Sequence, residues 1–293
     1  MSVRQQVRAL SAGDRAILEA QLVDGERPMA DWFATFAALA GVDAAVGAGR
    51  ARTTRHLCFG WLGLLVGAFV LLLLLPIAAL VLLLVGLPVL ALLHGRAREL
   101  RAIDLANGPM ETLPPLLSLL AADTPPERPV TVRADLREPT IDAKRTGEQD
   151  RPVTRPVLSL KWTFFANPWL ELRTRFADGA AVRVEVTEHV RRATRIKTNP
   201  RGKRKLKVKH KRRVQLDVQV AFPRRRYALA PVAPGTVSAA DRERVVEGED
   251  RIVVRERAVF KETGSGGAIQ PHRIVDLLAA AYRRVEPAKG GRL

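Results

Sequence analysis

Lys205, Lys207, Lys209, Lys211 and Arg213 stand at every second position, while Leu206, Val208, Val214, Leu216, Val218, Val220 and Phe222 fall on even ones. Ammonium and guanidinium groups stay charged at neutral pH. Their chemistry is to bind anions by charge and hydrogen bonds rather than to move protons. From His189 to Leu216 the sequence holds 13 Lys and Arg and no acid. The candidate anion-binding residues are Arg191, Arg192, Arg195 and Lys197 on the outgoing segment and Arg201, Lys203 and Arg204 near the turn. Lys205, Lys207, Lys209, Lys211, Arg212 and Arg213 follow on the return, and Arg224, Arg225 and Arg226 extend the set.

Other chemistry has no local signature. The five histidines, His56, His94, His189, His210 and His272, form no metal-ligand spacing. The single cysteine, Cys58, allows neither an intrachain disulfide nor a cysteine metal site. Gly264-Ser265-Gly266-Gly267 lacks the Lys-Ser/Thr ending of a phosphate-binding loop, and no Gly-x-Ser-x-Gly, zinc-protease or dinucleotide fingerprint is present. The expectation is a non-enzymatic protein with no catalytic residues, no metal and no cofactor.

The element that positions the cations is a hairpin. Val182, Val184 and Val186 alternate with polar residues going out, and Asn199-Pro200-Arg201-Gly202 supplies a turn with Gly202 left-handed. Pairing Asn199 with Lys203 sets Val182 against Val220, Val184 against Val218, Val186 against Leu216 and Ile196 against Leu206. A one-residue slip would flip every side chain of one strand, so this agreement of faces fixes the register. Towards the tip both faces are polar, which predicts a two-stranded ribbon projecting from the domain. The residues between Arg183 and Ala221 include no Phe, Tyr or Trp on which bases could stack.

Upstream, Val130, Val132, Ala134 and Leu136 read as a strand and Pro139 to Pro152 as a polar loop. Leu158, Leu160, Trp162 and Phe164 form an inward face, Asn167-Pro168 turns the chain, Leu170, Leu172 and Phe176 resume the alternation, and Asp178-Gly179 closes a hairpin. Downstream, the spacing predicts a short helix over Ser238–Val246, a strand over Arg251–Phe260 with Ile252, Val254 and Ala258 inward, and a last helix from Pro271 to Val285.

Leu57 to Leu93 is a run of 37 residues without a charge. A bilayer span needs about 20 apolar residues. Splitting the run at Pro76 yields Leu57–Leu75 and Ile77–Leu93, each near one span, with a turn where proline suits it; one long kinked helix or a re-entrant loop is the alternative. Arg50, Arg52 and Arg55 precede the run and Arg96, Arg98 and Arg101 follow it, which favours both flanks on the cytoplasmic side. The expected location is the inner (cytoplasmic) membrane of a bacterium, with both termini cytoplasmic.

The organisation expected is therefore a membrane protein: a transmembrane helical hairpin plus a cytoplasmic α+β domain with an antiparallel β-meander and a long basic β-hairpin. Residues 1–50 form an N-terminal helical segment, with Ser11 capping a first helix and Met29 to Ala45 a second. Residues 57–93 are the hairpin. Residues 94–126 hold a connecting helix, then the punctuation Leu113-Pro114-Pro115-Leu116 with a short helix Leu116–Ala122, and 127–293 the basic domain. Of the formal net charge of +18, the stretch Arg128–Arg226, with 27 Lys and Arg against 10 Asp and Glu, supplies +17. Such a field selects anionic partners: membrane lipid head groups first, or an acidic protein. A membrane-tethered nucleic-acid binder is the alternative, and a third is a structural subunit of an oligomeric membrane complex, such as a pore or secretion assembly.

Overall fold

The computed structural model describes residues 3–198, 202–231, 240–262 and 269–288 (backbone only at Pro76, Asn107 and Glu262). The chain divides into two units, residues 1–21 with 37–105, and residues 22–36 with 106–293.

In the first unit the short helix α1 (Val3–Ala9) is followed by α2 (Ala12–Ala20). Ser11 caps α2 by accepting a hydrogen bond from the Asp14 N–H at 3.0 Å, which satisfies one of the free donors of a helix start. Helix α3 (Met29–Leu74) runs unbroken from the second expected helix into the apolar run. It stops where proline dictates. Leu75 is extended, with φ −146° and ψ 83°, and Pro76 opens α4 (Pro76–Ala102) at the position where its missing N–H costs nothing. Both helices are long and apolar enough to cross a membrane, with mean hydropathy 2.6 in their most apolar windows. They touch in antiparallel register. Leu90 lies beside Gly60, Leu64 beside Gly86 and Leu82 beside Gly67. A methyl group at Gly86 would stand 2.5 Å from Leu64 Cδ1, so that side chain would have to shift to make room for one. Below the apolar run, Gln21 donates to the carbonyls of Ala102 and Asp104, and Arg50 pairs with Asp104.

The second unit is built on an antiparallel sheet. Its strands are β1 (Leu22–Pro28), β2 (Pro129–Asp135), β3 (Arg145–Asp150), β4 (Val157–Arg175), β5 (Ala181–Thr198) and β6 (Arg204–Pro223), then β7 (Tyr227–Leu229), β8 (Arg242–Glu247), β9 (Arg251–Glu262) and β10 (Val285–Pro287). The order is β1-β2-β4-β5-β6-β9-β8, with β3 on β4, while β7 and β10 pair separately. Helix α5 (Asn107–Ala121) precedes β2, and α6 (His272–Tyr282) packs on β6 and β9 through Ile274, Leu277, Leu278 and Ala281. The core face of the sheet buries Val130, Val132, Leu172, Val182, Val184, Val186, Leu216, Val218, Val220 and Val254.

Several expectations are corrected. Residues 1–50 are not all helix, because Leu22–Pro28 is an edge strand on β2. Its Asp24, Gly25 and Pro28 hide the strand from propensity, and tertiary pairing overrides them. The prolines at 114 and 115 do not end a segment. They lie inside α5, whose Leu113, Leu116, Leu117 and Leu120 are fully or nearly fully buried. The polar stretch from Pro139 to Pro152 contains β3. Its exposure on an edge explains its polarity. Ser238 lies outside the described residues, and the expected helix to Val246 is instead the edge strand β8. There Asp241 accepts the Val259 N–H at 2.5 Å.

The largest correction concerns β4. Asn167-Pro168 does not turn the chain. One strand continues from Val157 to Arg175, with a shift of register between Pro168 and Leu170. Proline cannot donate to the ladder, and the extra residue is taken up as a bulge. The bulge reverses which residues face the core. Before it Thr163, Phe165, Asn167 and Trp169 are buried; after it Leu170, Leu172 and Thr174 are. Trp162 and Phe164 therefore lie on the opposite face, half-buried, rather than inward.

Candidate anion-binding surface

The hairpin forms in the expected register. Val182 faces Val220, Val184 faces Val218, Val186 faces Leu216 and Ile196 faces Leu206. Gly202 is left-handed at φ 75°, as the turn requires of a residue without Cβ. Asn199, Pro200 and Arg201 lie outside the described residues, Arg201 among the candidates. The ribbon is not two-stranded. β4 pairs with β5 as far as Val157 opposite Lys197, so the distal end has three strands.

Directly opposed residues of neighbouring strands share a face, and the face turned away from the core divides into two zones. In the first, one transverse row reads Asp24, Arg133, Glu171, Glu185, Asp217, Arg257 and Arg242. The next includes Arg173, Arg183 and Arg255. Arg133 reaches Asp24 at 3.0 Å, Arg183 reaches Glu171 at 3.0 Å, and Asp217 is held by Arg257 at 2.7 Å and Arg255 at 3.4 Å. Each of these carboxylates, and each of these arginines but Arg242, is paired within the sheet.

The distal zone is different. Arg191 lies opposite Lys211, Arg195 opposite Lys207 and Lys197 opposite Lys205. Like charges directly across a ladder repel. Among the described residues Arg195, Lys197, Arg204, Lys205, Lys207, Lys209, Lys211 and Arg213 have no ion-pair partner. The same sheet that pairs its arginines at one end leaves a set of cations open at the other.

The remaining candidates are engaged. Arg191 lies over the Trp162 ring at 4.2 Å, with Arg151 over the same ring at 4.0 Å. Arg192 lies over Phe165 at 5.0 Å on the core face. Arg212 stands 3.5 Å from the buried Glu188. Burial pushes the Glu188 carboxyl up from its usual value, against the pull of Arg212 and a hydrogen bond from Asn167. Nearby, burial lowers Lys144, which still pairs with Asp135 at 3.2 Å. Burial also lowers His210, reinforced by Arg212 and Arg192. Arg224 pairs with Glu247 and Arg226 donates to the Asp178 carbonyl at 2.8 Å. These two and the exposed Arg225 follow the far end of β6, roughly 35 Å from Arg213 at 3.3 Å per residue, and the fold does not gather them with the distal cations.

A groove of about 780 Å³ lies within the distal zone. Thr146, Phe164, His189, Arg191, Lys211, Arg213 and Lys261 contribute to it, and among the described residues no carboxylate lines it. Sequence reasoning missed Trp162, Phe164, His189 and Lys261 as parts of this surface. The signal for the aromatics was the pair of consecutive apolar residues Trp169-Leu170 directly after Pro168, which breaks the alternation as a bulge does. Among the described residues no group of three His, Cys, Asp or Glu could hold a metal ion. No protein-family model, curated protein or solved structure matches this chain.

Proposed function

We propose that the chain is a non-enzymatic, membrane-anchored binding or scaffold protein that presents a basic β-surface to an anionic partner, phospholipid head groups foremost. The two apolar helices cross the bilayer as a hairpin, with both termini on the cytoplasmic side of a bacterial inner membrane. The observation that carries this reading is the contrast on one face of the sheet, where a zone of paired charges adjoins opposed, unpaired cations. A merely soluble surface needs no such segregation, and the cross-strand repulsion is relieved when anions arrive. Each near-surface Lys or Arg contributes about 1 kcal/mol to attraction by an anionic leaflet.

The test uses the full chain in phosphatidylcholine nanodiscs, incubated with vesicles containing or lacking phosphatidylserine. Replacing Lys205, Lys207 and Lys209 together by Gln should weaken vesicle capture strongly and leave the fold intact. Capture should fall with added salt, since exposed charges are screened over about 8 Å at physiological ionic strength. Equal capture of wild type and variant would remove the reading. Reporter fusions at residues 1 and 293 should report the same side of the membrane.

A second reading, a membrane-tethered nucleic-acid binder, gains from one observation. β4 brings Trp162 and Phe164 beside Arg191, on the same face as Lys209 and Lys211. That supplies the stacking groups that the hairpin itself lacks. Oligonucleotides replace the vesicles in the same experiment to test it.

A further inference from the structure

We propose that the groove between β3, β4, β5, β6 and β9 is a discrete site for one ligand carrying two or more closely spaced phosphoryl groups. This rests on the reading of the distal cations as an anion-binding surface and names a ligand class for one part of it.

The geometry comes from register. Phe164, Arg191 and Lys211 stand in one transverse row, and His189, Arg213 and Lys261 in the next. Rows on one face are about 7 Å apart and neighbouring strands about 4.8 Å. Four cationic side chains thus originate within a patch about 10 Å across. None of the four has an ion-pair partner among the described residues. Such a patch suits two or three phosphoryl groups joined by a short bridge or set on adjacent ring carbons. Arg offers a two-pronged donor to each phosphoryl, and Lys a mobile point charge.

Size and lining narrow the class. A volume of about 780 Å³ is far more than one inorganic phosphate needs and falls in the range of small-molecule sites. Phe164 gives the groove an apolar surface for the carbon skeleton of the ligand, and Thr146 and His189 add further hydrogen-bonding groups. A flat bilayer surface would touch the rim alone. A single head group drawn out of the leaflet, or a soluble polyphosphorylated molecule, would reach the floor.

The test is calorimetric titration of the full chain, held in phosphatidylcholine nanodiscs, with sodium tripolyphosphate and with inositol hexakisphosphate. The expected result is saturable 1:1 binding. The double variant Arg213→Gln/Lys261→Gln should weaken it at least 30-fold, and Arg213→Lys should restore most of the loss from Arg213→Gln. Arg242→Gln/Arg244→Gln removes the same charge from the exposed strand β8 and should change affinity less than twofold. Thermal melts confirm that the variants fold. Vesicles bearing phosphatidylinositol bisphosphate, compared with phosphatidylserine vesicles of equal charge, separate the sources: preference for the former assigns a lipid head group, and no preference assigns a soluble ligand.

Absence of saturation, or equal weakening by both double variants, overturns the site. If the Lys205/Lys207/Lys209 variant still loses vesicle capture in that case, the broader surface reading stands without it. Single-stranded RNA that binds 1:1 through Arg213 and Lys261, without competition from tripolyphosphate, overturns the small-ligand assignment.

Discussion

The Nε of Arg212 stands 3.5 Å from the carboxylate of Glu188, and this diagonal pair, with Val190 opposite Arg212 and Val214 opposite Glu188, marks where the core face of the sheet changes from apolar to polar. On one side lie Val186 and Leu216; beyond it come Arg192, Thr194 and His210. Glu188 is almost fully buried, whereas Arg212 keeps access to water, so the pair is unequal. Burial makes the carboxyl cling to its proton.

That inequality predicts a pH effect of definite sign. A carboxyl raised in the folded state binds protons more tightly folded than unfolded. Its favourable contribution is present in acid and is lost as pH rises from the ordinary carboxylate value through the raised one. Glu188→Gln cannot ionise. Across that rise, urea midpoints of the variant should gain on those of wild type, and the difference should level off at higher pH. A flat difference, or one of opposite slope, would show that Glu188 does not titrate as a buried acid.

Trp32 anchors the start of α3 to the sheet. Its Nε1 donates to the Val130 carbonyl at 2.8 Å, and its ring stacks on Phe36. Trp32→Ala should cost about 3–5 kcal/mol of stability. Trp32→Phe keeps most of the volume and should cost about 1–2 kcal/mol through the lost hydrogen bond. Denaturant titration measures both, and equal losses would show that the hydrogen bond, and not the packing of the ring, accounts for the anchoring.

Gly86 and Gly63 make a matched pair within the apolar helices. A methyl group at Gly86 meets Leu64 Cδ1 at 2.5 Å, whereas one at Gly63 meets no heavy atom within 4 Å. Gly86→Ala should destabilise the helix pair by about 1–3 kcal/mol through overpacking. Gly63→Ala should be neutral or slightly stabilising, since alanine lowers the freedom of the unfolded chain. Thermal loss of helical signal in detergent distinguishes them. Equal effects would mean that the close approach at Gly86 is not maintained.

Asp178 Oδ2 accepts hydrogen bonds from Tyr227 and Tyr282, each at 2.7 Å. Burial and the carboxylate push Tyr227 up to about 12, and Tyr282 is raised as well. Stability from these phenols is whole below the ordinary tyrosine value of about 10 and is lost as pH climbs through the raised values. Each of Tyr227→Phe and Tyr282→Phe should cost about 1–2 kcal/mol at neutral pH. Both variants should lose less than wild type on raising the pH towards 12. A variant that tracks wild type in alkali would exclude its phenol from the linkage.

The hairpin was legible in sequence because two long strands with one consistent face permit one register. The break at Leu75 was legible because proline disfavours helix at the residue before it. What escaped reading shares a cause: side chains whose partners are remote in sequence. Leu22–Pro28 is a strand because β2 offers it a ladder 101 to 113 positions on, from Pro28 opposite Pro129 to Leu22 opposite Asp135. Pro114 and Pro115 stay helical because the leucines around them are buried. The faces of β4 inverted because a single shift at Pro168 changes parity, which no local pattern upstream reveals. The cations themselves could be read, but not their division into engaged and open sets, since Trp162, Glu188 and Phe165 lie on other strands or other rows.

The partnership of β4 with β5 out to Lys197 has a mechanical consequence. An isolated two-stranded ribbon bends and twists readily, so a charge at its tip would act as a tether and leave the domain free to swivel. Three hydrogen-bonded strands resist that bending. A force or torque on the basic end is transmitted along β5 and β6 into the buried valines. Seizing the tip therefore sets the orientation of the whole sheet, as a handle does, rather than merely holding it near.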